Sequence, residues 1–523
     1  MQGNTDTPRW WETRWFVVAA ILTSAVPLLW PAFAPLSDMP GHIGRYRIMA
    51  EAGRGPLALH YAVDWAPIGN LGVDGLVLLL APLLGIEPAA KLTVMLIPPL
   101  TVAALLWVGR EAHGRMPPSA LFALPLAYSF PFQLGFVNFA LAAALAIGGL
   151  ALWIRLARTA PLWWRIVLFV PIACLVWLCH SFGWAMLGLF VFGAEWAMRR
   201  DAGQGWIRAA LLAGCVCAPL ALPQAAAMAF AHQPLSGDTG DWFHWTAKLQ
   251  WTVSVLRERW ESYDLISLIL LLSLVWLAIR SPRLGFAKTV AVPAVLGLMA
   301  FILLPRLYAG GAYVDMRLLP YALALGLAAI RLPPAGPLAG RFALGGGLFF
   351  AMRTLGTTAA FALFASGQAA ALRALPALPV GSAVLTLVDE PSSGQWSNRR
   401  FTHIAGIAIA RRRIFTNEQW ALRGQQLIRP LHPSAAPLDR DPSQLVYRPV
   451  PEQTDFDQAI ASFDRGTFGY VWTIGFPVGR AHARDLTPIW SDAVSAVYRV
   501  DPRGSPSARP ATLVASPVSP VRR

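Results

Sequence analysis

The chain has 523 residues, 56% of them hydrophobic and only 14% charged, with a formal net charge of +15. A water-soluble domain is about 25% charged, so this composition excludes a soluble globular protein. The basic excess does not argue for nucleic acid, because arginines in the joints of a membrane chain set orientation and meet anionic headgroups.

Up to residue 375 the sequence is a series of apolar runs separated by short Arg-bearing joints. Each run is about the length of roughly 20 residues that a bilayer core requires. Expected spans lie at 15–34, 91–109, 119–136, 138–157, 163–180, 183–198, 207–230, 263–280, 288–305, 315–331 and 342–366. The expected fold is therefore a polytopic α-helical membrane protein of about eleven transmembrane helices, followed by a small C-terminal extramembrane α/β or α+β domain. The first run is too long for the apolar part of a cleavable signal. Cys174, Cys179, Cys215 and Cys217 all lie inside apolar runs and read as small packing residues, not as a disulfide or metal set.

The run Leu71 to Ile86 is short, carries Asp74 and Pro82, and follows the turn Pro67-Ile68-Gly69-Asn70. If it does not span, Arg9, Arg14, Arg110, Arg155, Arg199 and Arg280 fall on one side, as the positive-inside rule asks. If it does span, the bias reverses. It is therefore expected to be re-entrant or surface-lying, with the N-terminus inside and the C-terminal domain outside.

This orientation gathers unusual polar residues on the outer face. In Ser37-Asp38-Met39-Pro40-Gly41-His42-Ile43-Gly44-Arg45, Ser37 or Asp38 can N-cap a helix with Pro40 in its first turn. Asp38, His42 and Arg45 then share one face. A carboxylate and an imidazole so placed suit a general base with its orienting partner, or two ligands of a divalent metal. They equally suit a capped helix lying on the bilayer, with Arg45, Arg47 and Arg54 on headgroups. His180 stands at the outer turn of a helix pair. The loop 231–262 holds His232, Asp238, Asp241, His244 and Lys248, with Trp242 and Trp245 as interfacial anchors. Arg306, Tyr308, Asp315 and Arg317 flank the 315–331 run, where arginines can hold a phosphate bidentately or snorkel beside a neutralising Asp. Arg353 lies well inside an apolar run, where a charged residue is a functional candidate by default. Its partner is expected to be an anionic lipid-linked group or an acidic side chain.

Together these features resemble the GT-C superfamily of polytopic glycosyltransferases, which includes the protein O-mannosyltransferases and the aminoarabinose transferase of lipid A. Members keep a catalytic Asp in the first outer loop, and Asp38 occupies that place. The stretches Gly135-Phe136-Val137-Asn138-Phe139 and Asp315-Met316-Arg317-Leu318-Leu319-Pro320 are similar to segments of bacterial members. The resemblance covers residues 10–370 and implies transfer of a sugar from a polyprenyl-phosphate donor to a glycan, lipid or protein acceptor. Asp38, aided by His42, would deprotonate the acceptor or help hold a metal ion. Arg306, Arg317 and Arg353, with Arg45, His180, Tyr308 and Asp315, would line the binding site. Many members carry a second acid directly after the Asp; here that position is Met39, so His42 or an acid of the 231–262 loop would have to replace it. The rival readings are a transporter or flippase for lipid-linked saccharides, and a non-catalytic assembly factor.

The expected organisation is a transmembrane domain 1–375, a periplasmic domain 376–500 and a disordered tail 501–523, in a bacterial inner membrane. Strands are expected at Ala383 to Val388, Ile404 to Ala410, Phe468 to Ile474 and Ala493 to Val500.

Overall fold

A computed structural model describes residues 9–230, 238–333, 337–389, 395–419, 425–432, 456–477, 479–481 and 483–501. His232 and the expected tail beyond 501 lie outside these described residues.

Seven helices are long and apolar enough to cross a membrane: Ile86–His113, Val137–Thr159, Leu162–Cys179, Ser181–Asp201, Trp206–Phe230, Glu261–Arg280 and Leu338–Ala377. Arg14–Thr23, Gly72–Leu84 and Lys288–Leu303 are shorter apolar helices. The chain is thus a polytopic α-helical membrane protein, and the expected runs differ from it in three places. The run 119–136 becomes a buried 3-10 helix, Pro118–Tyr128, followed by the short helix Phe130–Leu134. Pro118, Pro125 and Pro131 each lack the amide that an α-helix interior needs. The run 315–331 breaks into the 3-10 turn Asp315–Arg317, the buried ten-residue helix Leu319–Ala328 and the strand residues Ile330–Arg331. In the run 15–34, the helix Arg14–Thr23 stops short of Pro27 and a separate turn, Val26–Leu29, follows.

Leu71 to Ile86 forms the helix Gly72–Leu84, which ends at Gly85 with φ +83. That left-handed angle suits glycine, and the chain reverses there into Ile86–Met95. Asn138 joins this helix to Val137–Thr159: its Nδ2 donates to Asn70 O and to Asp74 Oδ2 at 2.8 Å, while its Oδ1 accepts Val73 N–H at 2.6 Å.

Nine strands occur among the described residues. β1 (Tyr61–Val63) pairs antiparallel with β6 (Ile428–Pro430), and β2 (Gly285–Phe286) with β3 (Ile330–Arg331). The remaining strands are β4 (Ala383–Val388), β5 (Phe415–Thr416), β7 (Tyr470–Ile474), β8 (Leu486–Ser491) and β9 (Ser495–Val500). They form one mixed sheet in the order β5-β4-β7-β9-β8. β4 lies parallel to β5 and β7, and β9 antiparallel to β7 and β8.

Ile404 to Ala410, expected as a strand, is instead the helix Ala405–Arg412, which connects β4 to β5. Residues 405–410 are all buried, and a run buried on every side carries no period to separate helix from strand. The helix crosses Met39–Ala50 through glycines. A Cβ on Gly44 would lie 2.9 Å from Gly406 O. The Met39–Ala50 helix is consequently buried along most of its length and does not lie on a bilayer surface.

Candidate functional site

Asp38 occupies the N-cap position of Met39–Ala50, yet its side chain makes no capping bond. Its backbone holds it instead: Asp38 N–H donates to Leu134 O at 2.9 Å. Opposite it, Gly135 has φ +98, and a Cβ there would fall 2.9 Å from Asp38 Cβ, so that turn requires glycine. His42, one turn along, donates from Nε2 to Gly135 O at 3.0 Å. Burial, reinforced by the Arg45 charge, holds the His42 imidazole well below its ordinary value and therefore neutral. His42 thus braces the turn that faces Asp38.

Arg317 precedes the helix Leu319–Ala328 and is only partly buried. Its guanidinium carbon lies 4.5 Å from the Phe136 ring centroid, 5.5 Å from Phe182 and 5.7 Å from Phe139. Nε donates to Tyr313 O at 3.2 Å, and Nη1 approaches His180 Nε2 at 3.1 Å. His180 Nδ1 stands 3.1 Å from Phe182 N. A neutral imidazole has one lone pair. That one lone pair serves either Phe182 N–H or Arg317 Nη1–H, and the imidazole edge stands directly against the guanidinium. No carboxylate lies within ion-pair distance of Arg317 among the described residues, but the Asp38 charge acts on it electrostatically. Tyr308 packs edge-on against Phe182 at 5.9 Å and stays about half exposed.

The other expected site residues are engaged elsewhere. Arg45 forms a buried ion pair with Asp74 at 2.9 Å. Arg306 pairs with Asp241, which also meets His244 Nδ1 at 3.0 Å. Asp315 pairs with Lys248 at 3.0 Å, and Lys248 also donates to Phe301 O at 2.8 Å. This fastens the end of Lys288–Leu303 next to the turn that carries Arg317. Arg353 meets Asp264 at 2.8 Å and Glu258 at 3.9 Å, all nearly inaccessible. Its partners are therefore acidic side chains of the protein.

Around Glu258 lies a buried polar network that the sequence reading did not find. Glu258 accepts Gln133 Nε2–H at 2.8 Å and the Thr357 hydroxyl at 3.0 Å. Burial, with Asp264 adding, raises its proton affinity against the opposing charge of Arg353. Arg400, from the C-terminal part, donates to both Gln133 O and Gln133 Oε1 at 2.7 Å. The Ser37 hydroxyl donates to Arg399 O at 2.5 Å. The same segment brings His403 Nε2 to 3.6 Å from Asp38 Oδ1. A lone Gln in an apolar turn was a faint signal for Gln133; His403 gave none.

Among the described residues, no group of three or more His, Cys, Asp or Glu side chains could hold a metal ion. His42 spends its Nε2–H on Gly135 O, and no third His, Cys, Asp or Glu groups with it and Asp38 among the described residues.

No family model matches the chain, and no curated protein matches it. The chain is similar to ArnT from Cupriavidus metallidurans. Against the crystal structure of ArnT in the apo state the identity is 15% and the TM-score 0.48, over 92% of this chain and 97% of ArnT. Against ArnT bound to undecaprenyl phosphate the identity is 14% and the TM-score 0.47, over the same shares of 92% and 97%.

Proposed function

We propose that the chain is a GT-C-like membrane glycosyltransferase that moves a sugar from a polyprenyl-phosphate donor to an acceptor hydroxyl on the outer face of a bacterial inner membrane. The observation that carries this reading is the placement of Asp38 against Gly135, whose neighbour Phe136 packs on the Arg317 guanidinium. A carboxylate suited to take a proton stands near a guanidinium suited to receive a phosphate oxygen. The polytopic apolar body supplies a medium for the lipid tail.

In the reaction, Asp38 takes the proton of the acceptor hydroxyl as its oxygen attacks the anomeric carbon. The bond from that carbon to the phosphate oxygen breaks, and the electron pair passes to the phosphate, with inversion at carbon. Arg317, steadied by His180, donates to the phosphate oxygens where negative charge grows, which is where a fixed donor lowers the barrier most. Phe136, Phe139 and Phe182 exclude water around the guanidinium. His42 takes no proton in this scheme. Arg306, Tyr308 and Asp315 shape the loop beside the phosphate, and Arg45 and Arg353 hold the scaffold through their acids. The proposed organisation keeps 1–375 in the membrane with the N-terminus cytoplasmic, places 376–500 in the periplasm, and leaves 501–523 as a tail.

The test is transfer of labelled sugar from a panel of polyprenyl-phosphate donors by purified wild type and Asp38→Asn, with folding checked in parallel. Transfer that falls by about 10²–10⁴-fold in the folded variant supports the reading. Equal transfer by both removes Asp38 from the chemistry. Donor binding without transfer by either moves the function to carriage or assembly.

A further inference from the structure

A cleft of about 230 Å³ opens between the segment after Val26–Leu29, the C-terminal end of the helix Leu338–Ala371 and the helix Ala405–Arg412. Phe33, Ala365, Ala369 and Leu372 give it an apolar wall, and Arg373 and Arg411 line it with them. Both arginines are gripped along one edge. Arg373 Nε and Nη2 reach Asp492 Oδ2 at 2.9 and 2.8 Å, and Arg411 Nε and Nη2 reach the two oxygens of Glu87 at 2.8 and 2.7 Å. Among the described residues neither Nη1 has a hydrogen-bond partner, and the two side chains stay 59% and 40% exposed. The corner also holds cations that no acid neutralises. Lys91 donates to Leu29 O and Arg412 to Leu378 O, each at 2.7 Å, and neither meets a carboxylate among the described residues.

We propose that this cleft binds the phosphate headgroup of an anionic membrane phospholipid, with Arg373 and Arg411 each donating Nη1–H to it. Arginine forks suit phosphate oxygens, and a guanidinium already held by a carboxylate has little freedom left to lose on binding. The lipid reaches the cleft along the helix that ends there. Met352, Leu355 and Leu363 leave one side of Leu338–Ala371 apolar and exposed, and Ala369, also exposed, lies at the end of that side. Leu355 to Ala369 is about 21 Å of helix, which exceeds the half-core of about 15 Å that one acyl chain fills. Trp30, two residues before Ala32 of the cleft, is half exposed, as suits a residue at headgroup level. None of the residues in contact with Arg317 lines the cleft, so it is a second phosphate site and does not rest on the transferase reading. A lipid held there ties the end of a membrane helix to the C-terminal sheet, because Asp492, the partner of Arg373, lies between β8 and β9.

The experiment titrates the purified full-length protein with short-chain phosphatidylglycerol, short-chain phosphatidylcholine and inorganic phosphate, and counts bound equivalents by native mass spectrometry. The expected result is one retained equivalent of phosphatidylglycerol, bound about tenfold or more tightly than the other two. Removing each arginine together with its acid, in Arg373→Gln with Asp492→Asn and in Arg411→Gln with Glu87→Gln, should weaken that equivalent about tenfold per pair. Ala369→Trp fills the cleft without changing a charge and should weaken it likewise; it carries the test if a double variant fails to fold. Phosphatidylglycerol bound equally by wild type and Ala369→Trp overturns the proposal, and so does phosphatidylcholine bound as tightly as phosphatidylglycerol. Binding lost in Arg317→Gln and kept in the cleft variants puts the lipid at the proposed donor site and also overturns it. Inorganic phosphate held as tightly as the lipid, and released by the same variants, makes the cleft a free-anion site and overturns the lipid assignment.

Discussion

Gly406 meets Pro40 at a distance that admits no side chain: a Cβ on Gly406 would fall 2.1 Å from the Pro40 carbonyl oxygen. The contact is backbone against backbone, so neither partner can yield by turning a rotamer. Gly406→Ala must push the helix Ala405–Arg412 away from Met39–Ala50, at a cost of about 1–3 kcal/mol for overpacking. The thermal midpoint in detergent and the transfer rate should fall together. Gly188→Ala, where nothing lies within 4 Å, is the control that should change neither.

Arg317→Lys keeps the charge but loses the planar fork and its stacking on the three phenylalanines. Transfer should fall by about 10²–10³-fold, the scale seen on losing one fixed donor to a developing anion, while folding is retained. A transfer rate within a few-fold of wild type would remove Arg317 from phosphate recognition.

Arg353→Met leaves Asp264 and Glu258 as buried carboxylates without their cation. Breaking one side of a buried pair costs about 3–5 kcal/mol, so the variant should melt far below wild type or fail to accumulate. Adding Asp264→Asn should recover part of the loss. A single variant as stable as wild type would show that the network does not hold this region.

His42 and His403 both lie below their ordinary value of 6.5, burial being the first cause in each. The folded protein therefore leaves both neutral where the unfolded chain would protonate them. The stability they contribute is present above about pH 6.5 and is lost as pH falls, by up to about 1.4 kcal/mol per pH unit for each imidazole. For His403 the loss continues down to about 3. Thermal midpoints should drop as the buffer goes below about pH 6.5, and His42→Gln with His403→Gln should flatten that slope. An equal slope in the double variant would assign acid sensitivity to other groups.

The apolar runs were legible because a bilayer demands long, charge-poor helices, and Val137–Thr159 or Glu261–Arg280 satisfy that demand locally. Pro118–Tyr128 was not, since a run buried in protein escapes the length rule and prolines bend it into a tighter helix. Asp38 and Arg317 stood out as polar residues beside apolar runs, as their exposure to a site would require. Arg45 and Arg353 stood out for the same reason, yet Asp74, Glu258 and Asp264 neutralise them; composition alone cannot separate a scaffold ion pair from a ligand contact. His403 was invisible because its approach to Asp38 depends on a register set by Arg400 and Gln133, 267 residues apart.

The junction of β1 with β6, and the bond from Gln419 Nε2 to Gly41 O, set an order of assembly. Gln419 and Gly41 are 378 residues apart. At about 5–20 residues per second of synthesis, the helix bearing Asp38 emerges roughly 20–75 seconds before the segment that covers it. For that interval the growing chain carries Asp38 without the segment that packs over it, so the pocket wall on that side is the last part of this region to be built.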